Sequence, residues 1–216
     1  MIADFVKMSH PFKHFKVHNP TFNATECFRT EKFQYVLIPK NGNSTIRQNV
    51  CDNHDWIVGG EEIDPDKPLF TVLRDPWERT ISGLSYDLYR NYGEVNDEIL
   101  EDIDFKKMLY QPTHRFQRGT SFTSHISVQI GYLFDVQPNF YVDINQLSSF
   151  VKIHFENPTI KVNEGNLEFK NKVINLINSK PHIKNTIEKY IEIDYYFIER
   201  VRNTEIFWDF SMGKMW

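Results

Sequence analysis

A lysine and several small polar residues directly follow an apolar run in the segment FQYVLIPKNGNST, residues 33–45. Lys40 brings a full positive charge, Gly42 permits a tight turn, and Ser44 and Thr45 stand where a helix could begin. A strand that turns into a helix points several backbone N–H groups at one spot, and the helix dipole adds partial positive charge there. The segment therefore predicts either an anion-binding loop or a plain surface turn with a helix cap.

A second segment, VLRDPWERTISG, places Arg74 after another apolar run and Ser82 eight residues later. An arginine at that point can hold a phosphate through two parallel hydrogen bonds, and the serine can donate another from the adjacent helix face. The alternative is that Arg74 and Arg79 are solvated charges at a helix start, paired with their acidic neighbours. Because one small chain carries two such candidates, each after an apolar run, we favour anion binding.

These segments need a scaffold of strands and helices that alternate along the chain. Three apolar runs predict buried strands, namely FQYVLI, LFTVLR and FYVDI. Asp75 and Pro76 predict a helix start after the second run. Helical periodicity predicts STIRQNVCD, WERTISGLSYDLYRN, NDEILEDIDFKKMLYQ, SHISVQIGYLF, QLSSFVKIHF, NLEFKNKVINLINSK and NTIEKYIEIDYYFIERVR. This alternation predicts an α/β fold with a parallel sheet, whose ligands lie beyond the carboxyl ends of the strands.

Length and composition limit the classes of protein that fit. A chain of 216 residues fits one domain over residues 1–216, with an irregular segment over residues 1–30. The net charge of −4 argues against a nucleic-acid or membrane-surface partner. Cys27 and Cys51 lack metal-ligand spacing, which is typical of free thiols in a reducing compartment. No apolar stretch has the length of a signal peptide or membrane span, so we expect a soluble, cytoplasmic protein.

Together, the two polar segments resemble the paired signature of the sulfotransferase family, whose sulfuryl donor is 3′-phosphoadenosine-5′-phosphosulfate (PAPS). The first segment matches the family's Pro-Lys-x-Gly-(Ser/Thr)-(Ser/Thr) loop for the 5′-phosphosulfate at Lys40, Gly42, Ser44 and Thr45. The second matches the family's Arg-x-Pro…Ser segment for the 3′-phosphate at Arg74 and Ser82. RDPWERTISG is more similar to the carbohydrate-type branch than to the branch that acts on phenols and steroids. HISVQIGYL, KVNEG and YIEIDYYFI resemble later elements of the carbohydrate-type branch.

The resemblance implies a P-loop-like three-layer fold, in which helices flank a central parallel β-sheet. It also implies that Lys40 neutralises the negative charge that grows on the oxygen bridging sulfur and the 5′-phosphate, and that no metal takes part. The sequence departs from the family pattern at Asn41 and Asn43, where small or hydroxyl residues are usual. Asn43 can still donate through its amide, so we expect it to contact phosphate.

A hydroxyl acceptor also needs a general base to take its proton. In related carbohydrate sulfotransferases this base lies between the two motifs, where CDNHDWIVGGEEIDPDKP offers His54, Asp55, Glu61 and Glu62. We expect His54 to be the base, because an imidazole titrates near neutral pH and this residue closely follows the first predicted helix. His125 is the reserve candidate.

The expected acceptor is a hydroxyl or amine, on a carbohydrate or another small molecule. Loops within residues 90–125 would select it, and their Arg115 and Arg118 could hold an anionic glycan. Two other functions stay open: a nucleotide-dependent phosphotransferase, for which the GxxxxGK(S/T) loop is missing, and a non-catalytic nucleotide-binding module. The oligomeric state is not indicated. The short chain without a membrane anchor suggests a bacterial or viral source.

Overall fold

The computed structural model describes residues 26–29, 32–50, 55–58, 63–110, 124–133, 136–155, 158, 166–203 and 207–208. The chain divides into two compact units. The first combines Met1–Arg74, Gln129–Asn163 and Tyr196–Trp216, and the second combines Asp75–Val128 and Glu164–Tyr195. All described strands belong to the first unit, whereas the described part of the second is helical. The single domain expected from the chain length stays a prediction.

The first unit is an α/β structure with a mixed six-stranded sheet. Its strands are β1 (Glu26–Arg29), β2 (Gln34–Val36), β3 (Asp55–Val58), β4 (Leu69–Leu73), β5 (Phe140–Asp143) and β6 (Phe207–Trp208). Their order is β3-β1-β2-β4-β5-β6. The pairs β2–β4 and β4–β5 are parallel, as predicted, and β6 adds a further parallel pair beside β5. In contrast, β1 runs antiparallel to both β2 and β3, so the sheet is not wholly parallel.

Helices occur in both units. They are α1 (Asn43–Val50), α2 (Pro76–Tyr92), α3 (Asp97–Glu101), α4 (Phe105–Tyr110), α5 (Leu147–His154), α6 (Leu167–Asn178) and α7 (Pro181–Arg202). Short 3₁₀ segments are η1 (Ser124–Ile126), η2 (Gln129–Leu133) and η3 (Ile144–Gln146). Among the described residues, no helix combines the length and the apolar character needed to cross a bilayer.

Aromatic rings fill the core of the first unit. The strands β2 and β4 are buried along their whole length, as expected for inner strands of a sheet that is covered on both faces. Phe70 of β4 stacks on Phe140 of β5, with ring centroids 5.3 Å apart. The ring centroids of Phe150 (α5) and Phe33 lie 5.0 and 5.9 Å from the ring centroid of Phe70. This packing holds β2 and β4 in place beside each other, so the segments that follow them start from fixed points.

A buried glutamine ties the amino end of β2 to the turn before β4. Gln34 is fully buried, and its Nε2 donates to the carbonyl oxygens of Asp64 (2.7 Å) and Lys67 (2.9 Å). Its Oε1 accepts a hydrogen bond from the backbone N–H of Asp64 (2.8 Å). These bonds offset the loss of water around the amide, and they fix the position at which β2 enters the sheet.

In the second unit, α2 begins where the sequence predicts. Asp75 caps the helix, because its Oδ1 accepts from the N–H of Glu78 (2.9 Å), and Pro76 is the first helical residue. Gly93 ends the helix in the left-handed conformation, at a φ of 71°. Tyr195 donates from its hydroxyl to Asp75 (3.2 Å), and partial burial together with this carboxylate raises the pKa of Tyr195.

Arg79 of α2 is fully buried, which contradicts the alternative that it is a solvated charge at the helix start. Its Nη1 donates to the carbonyl oxygen of Ser127. This contact also explains why SHISVQIGYLF is not one helix but forms η1 and η2. The Ser127 carbonyl is used by Arg79, and the N–H of Val128 donates to the hydroxyl of Tyr190 (3.3 Å). Both groups would be needed for the hydrogen bonds of a continuous helix.

The segment NDEILEDIDFKKMLYQ likewise forms two helices where one is predicted. The first, α3, ends at Glu101, and α4 begins at Phe105. Between them, Asp104 accepts a hydrogen bond from the N–H of Lys107 (3.0 Å). A short acidic side chain that bonds to the backbone in this way starts a new helix and interrupts the old one.

The sheet contains short strands that the apolar runs do not predict. The segment expected to be irregular over residues 1–30 includes β1, while residues 1–25 lie outside the described residues. The segment HDWIVGGEEIDPDKP holds β3. The two-residue β6 extends the parallel edge beside β5.

Candidate functional site

The two predicted anion-binding segments follow neighbouring parallel strands. Gln34 of β2 pairs with Leu69 of β4, and the ladder continues to Val36 and Thr71. Because the strands run in the same direction, their carboxyl ends share one edge of the sheet. The Arg74 guanidinium reaches across this edge, and its Nη1 donates to the carbonyl oxygen of Lys40 (3.1 Å). The structure therefore brings Lys40 and Arg74, one residue of each segment, together at this edge.

The loop after β2 has an unusual backbone. Lys40 has a φ of 69° and Gly42 a φ of 80°, both in the left-handed region. That region is uncommon for a residue with a side chain, and such strain costs about 1–3 kcal/mol and clusters at functional sites. The Lys40 carbonyl is held by Arg74 at the position that this conformation gives it. The strained residue is thus the one whose carbonyl binds the Arg74 guanidinium.

Gly42 also satisfies a packing requirement. A Cβ atom at this position would lie 2.4 Å from Leu147 Cδ2 and 2.9 Å from Ile144 Cδ1. The loop therefore runs directly against η3 and the start of α5. Immediately after Gly42, α1 begins at Asn43, and the N–H groups of Thr45 and Ile46 donate to the Gly42 carbonyl (2.9 and 3.2 Å).

The start of α1 carries the remaining predicted contacts of the first segment. The first backbone N–H groups of a helix have no intrahelical acceptor and attract an anion. Asn43 and Ser44 are half-buried there, and Thr45 is buried. The Oδ1 atom of Asn43 accepts from the hydroxyl of Tyr35, which leaves the amide N–H groups of this side chain pointing away from that bond. This arrangement is compatible with the predicted phosphate contact of Asn43.

A second buried glutamine, Gln129 of η2, joins the loop to the end of β4. Its Oε1 accepts from Asn41 Nδ2 (2.6 Å) and from the backbone N–H of Arg74 (3.1 Å). Its Nε2 donates to the Arg74 carbonyl (2.8 Å). Asn41, which is fully buried, also donates to the Val72 carbonyl (2.6 Å). These two hydrogen bonds explain why an asparagine stands at position 41, where the sulfotransferase motif usually has a small or hydroxyl residue.

The charges around the loop favour an anion. The sequence contains no acidic residue between positions 33 and 50, while Lys40 and Arg74 are both cationic and half-buried. At the next strand end, the acidic Asp143 lies 2.5 Å from Arg202 Nη2, which compensates its charge. Two residues with positive side chains, Lys40 and Arg74, therefore lie together next to the start of α1.

The other predicted residues lie elsewhere or outside the described part of the chain. Ser82 is a half-buried residue of α2, in the second unit, so its part in the site still depends on the sequence pattern. His125 also belongs to the second unit, where its Nδ1 lies 3.4 Å from the buried carboxylate of Asp87. Residues outside the description are His54, Glu61, Glu62, Arg115, Arg118 and the segment KVNEG, and the side chain of Asp55 is not described either.

The described residues contain no cluster of three or more histidine, cysteine, aspartate or glutamate side chains that could hold a metal ion. Comparisons with protein-family models, with curated proteins and with solved structures found no match to this chain. The resemblance to sulfotransferases therefore stays a prediction from the two sequence segments.

Proposed function

We propose that this chain is a PAPS-dependent sulfotransferase that moves a sulfuryl group to a hydroxyl or amine, on a carbohydrate acceptor. In this proposal the chain has the P-loop-like, three-layer fold of that family. The 5′-phosphosulfate binds at Lys40, Gly42, Asn43, Ser44 and Thr45, and the 3′-phosphate binds at Arg74 and Ser82.

The observation that carries the proposal is the hydrogen bond between the two strand ends, from Arg74 Nη1 to the Lys40 carbonyl (3.1 Å). It places two cationic residues at one edge of the sheet, beside the start of α1. A nucleotide with phosphates at both its 3′ and 5′ positions needs two such anion-binding segments at a fixed spacing. A plain surface turn needs neither the strained Lys40 backbone nor the second cation.

Sulfuryl transfer depends on alignment of the acceptor and on stabilisation of charge, by the same logic as phosphoryl transfer. Lys40 neutralises the negative charge that grows on the oxygen bridging sulfur and phosphorus. Arg74 orients the donor through its 3′-phosphate and keeps the Lys40 carbonyl in place. A base, for which His54 stays the expected residue and His125 the reserve, takes the proton of the acceptor hydroxyl as the acceptor oxygen bonds to sulfur. The bond between sulfur and the bridging oxygen breaks in the same step, and adenosine 3′,5′-bisphosphate leaves with the electron pair.

Thermal unfolding with nucleotides tests this function directly. Adenosine 3′,5′-bisphosphate at about 100 times its Kd should stabilise the protein by about 2.7 kcal/mol, or about 5–10 °C in Tm. ATP with Mg²⁺ should give a much smaller shift. A shift with ATP and Mg²⁺ but none with the bisphosphate would instead favour a phosphotransferase.

Transfer itself is tested with radiolabelled PAPS and a panel of acceptors that includes neutral and anionic oligosaccharides. Labelled product is expected with at least one carbohydrate. Binding of the bisphosphate without transfer to any acceptor in the panel would favour the non-catalytic module.

A further inference from the structure

We propose that Gln129 is a positioning residue, which couples the Lys40 loop to the end of β4 so that the two phosphate groups of one ligand bind as a unit. This inference rests on the proposed function, because it assumes a ligand that spans both segments. It assigns to Gln129 an effect on ligand affinity beyond its contribution to stability.

The hydrogen bonds of Gln129 divide between the two segments. Asn41 belongs to the loop after β2 and lies 88 residues away along the chain, whereas Arg74 follows β4. The single Oε1 atom accepts from both, at 2.6 and 3.1 Å, and Nε2 holds the Arg74 carbonyl at 2.8 Å. A movement of either segment therefore breaks or strains a bond to the same amide group.

Burial makes this connection rigid. Gln129 and Asn41 are both fully buried, so water does not compete for their hydrogen bonds. Loss of one partner would leave a buried polar group without compensation, which costs more than an exposed bond. We call these hydrogen bonds of Gln129 to Asn41 and Arg74 the Gln129 brace. They oppose separation of the Lys40 loop and the end of β4.

Such a brace matters most for a ligand with two anchors. Once one phosphate is bound, the second binds at an effective concentration set by the spacing and stiffness of the two segments. A ligand with one phosphate gains nothing from that spacing. The affinity ratio between a bisphosphate and a monophosphate therefore reports the coupling itself.

The chain offers a close control at Gln34. This residue is also fully buried and also makes three side-chain hydrogen bonds, but at the amino end of β2 and only to Asp64 and Lys67. Gln34→Ala removes the same chemical group, from the amino end of β2, without touching the loop. General destabilisation should affect both variants, whereas loss of coupling should appear in one.

The experiment measures Kd values of adenosine 3′,5′-bisphosphate, 3′-AMP and 5′-AMP for the wild type, Gln129→Ala and Gln34→Ala. In Gln129→Ala the bisphosphate should bind about tenfold more weakly, and each monophosphate should change by about threefold or less. In Gln34→Ala the three ligands should keep their relative affinities. An equal loss for all three ligands in Gln129→Ala, or the same pattern in both variants, would overturn the inference.

Two further measurements keep the test decisive. If Gln129→Ala does not fold, Asn41→Ala removes the loop partner of Gln129 together with the bond to the Val72 carbonyl, and it should lower the bisphosphate preference in the same way. An unchanged preference would count against the coupling. If the wild type binds no nucleotide, the proposed function fails. Hydrogen exchange of the backbone amides of Asn41, Thr45 and Ile46 then tests whether Gln129 holds the loop in place. Their exchange should be faster in Gln129→Ala than in Gln34→Ala, and equal rates would refute the coupling.

Discussion

The two ends of the β2–β4 pair use the same residue type for different purposes. At the amino end, Gln34 bonds to the backbone of a turn and fixes strand register. At the carboxyl end, Gln129 bonds to Asn41 and to the backbone of Arg74. Both glutamines are fully buried, and each makes at least three side-chain hydrogen bonds.

The neighbours of each glutamine explain the difference. Gln34 lies beside an ordinary turn that contains Asp64 and Lys67, so an acid and a base are both close. Gln129 holds a loop with a strained cationic residue, Lys40, and a strand end with a second cation, Arg74. A buried amide is therefore weak evidence for function, and the conformation and charge of what it holds are stronger evidence.

The largest difference between the two ends is expected for their lysines. Lys40→Ala should lower the rate of sulfuryl transfer about 100-fold to 1000-fold, because it removes the group that neutralises the leaving oxygen. Lys67→Ala makes the same charge change at the amino end and should leave the rate nearly unchanged. Steady-state assays with PAPS and a working acceptor measure both, and similar rates for the two variants would remove Lys40 from its assigned role.

A second large effect is expected for the glycine of the loop. Gly42→Ala adds a Cβ in the left-handed region, within 2.4 Å of Leu147, and should destabilise the protein by about 2–4 kcal/mol. Gly93 has a similar φ of 71° but no atom within 4 Å of an added Cβ. Gly93→Ala should therefore cost only about 1 kcal/mol.

Urea denaturation measures the free energy of unfolding of both glycine variants. The loss in Gly93→Ala reports the cost of the left-handed backbone, and the additional loss in Gly42→Ala reports the steric clash with Leu147 and Ile144. The bisphosphate affinity of Gly42→Ala should fall as well, because the loop must move away from η3 and α5. Equal stability losses for the two variants would show that Leu147 and Ile144 adjust at little cost.

The sequence predicts much of the fold because the spacing of apolar residues in most segments is typical of either a strand or a helix, and not of both. FQYVLI, LFTVLR and FYVDI contain β2, β4 and β5, and the Asp75-Pro76 start of α2 is confirmed. The failures occur where distant partners take over backbone groups. SHISVQIGYLF has helical periodicity, but Arg79 and Tyr190 occupy the groups that a helix would use at Ser127 and Val128.

The candidate site is predictable only in part, for a related reason. The rule that ligands bind beyond the carboxyl ends of parallel strands brings Lys40 and Arg74 together, without knowledge of side-chain contacts. It gives no information about Asn41, whose partner Gln129 lies 88 residues away. The only available signal in the sequence is an asparagine in a polar loop, which without contacts cannot be distinguished from an exposed turn residue.

The smallest expected effect concerns the link between β2 and the loop. Tyr35→Phe removes the hydroxyl that donates to Asn43 and keeps the ring beside Phe70, 5.1 Å between centroids. Loss of this bond should destabilise the protein by about 0.5–1.5 kcal/mol. Tyr141 is the matched control: its hydroxyl is buried without a hydrogen-bond partner among the described residues, and burial raises its pKa. Tyr141→Phe should be neutral or slightly stabilising, since it removes an unsatisfied polar group. Urea denaturation of both variants decides whether the Tyr35 hydroxyl holds the loop, and an equal response would assign no stability to that bond.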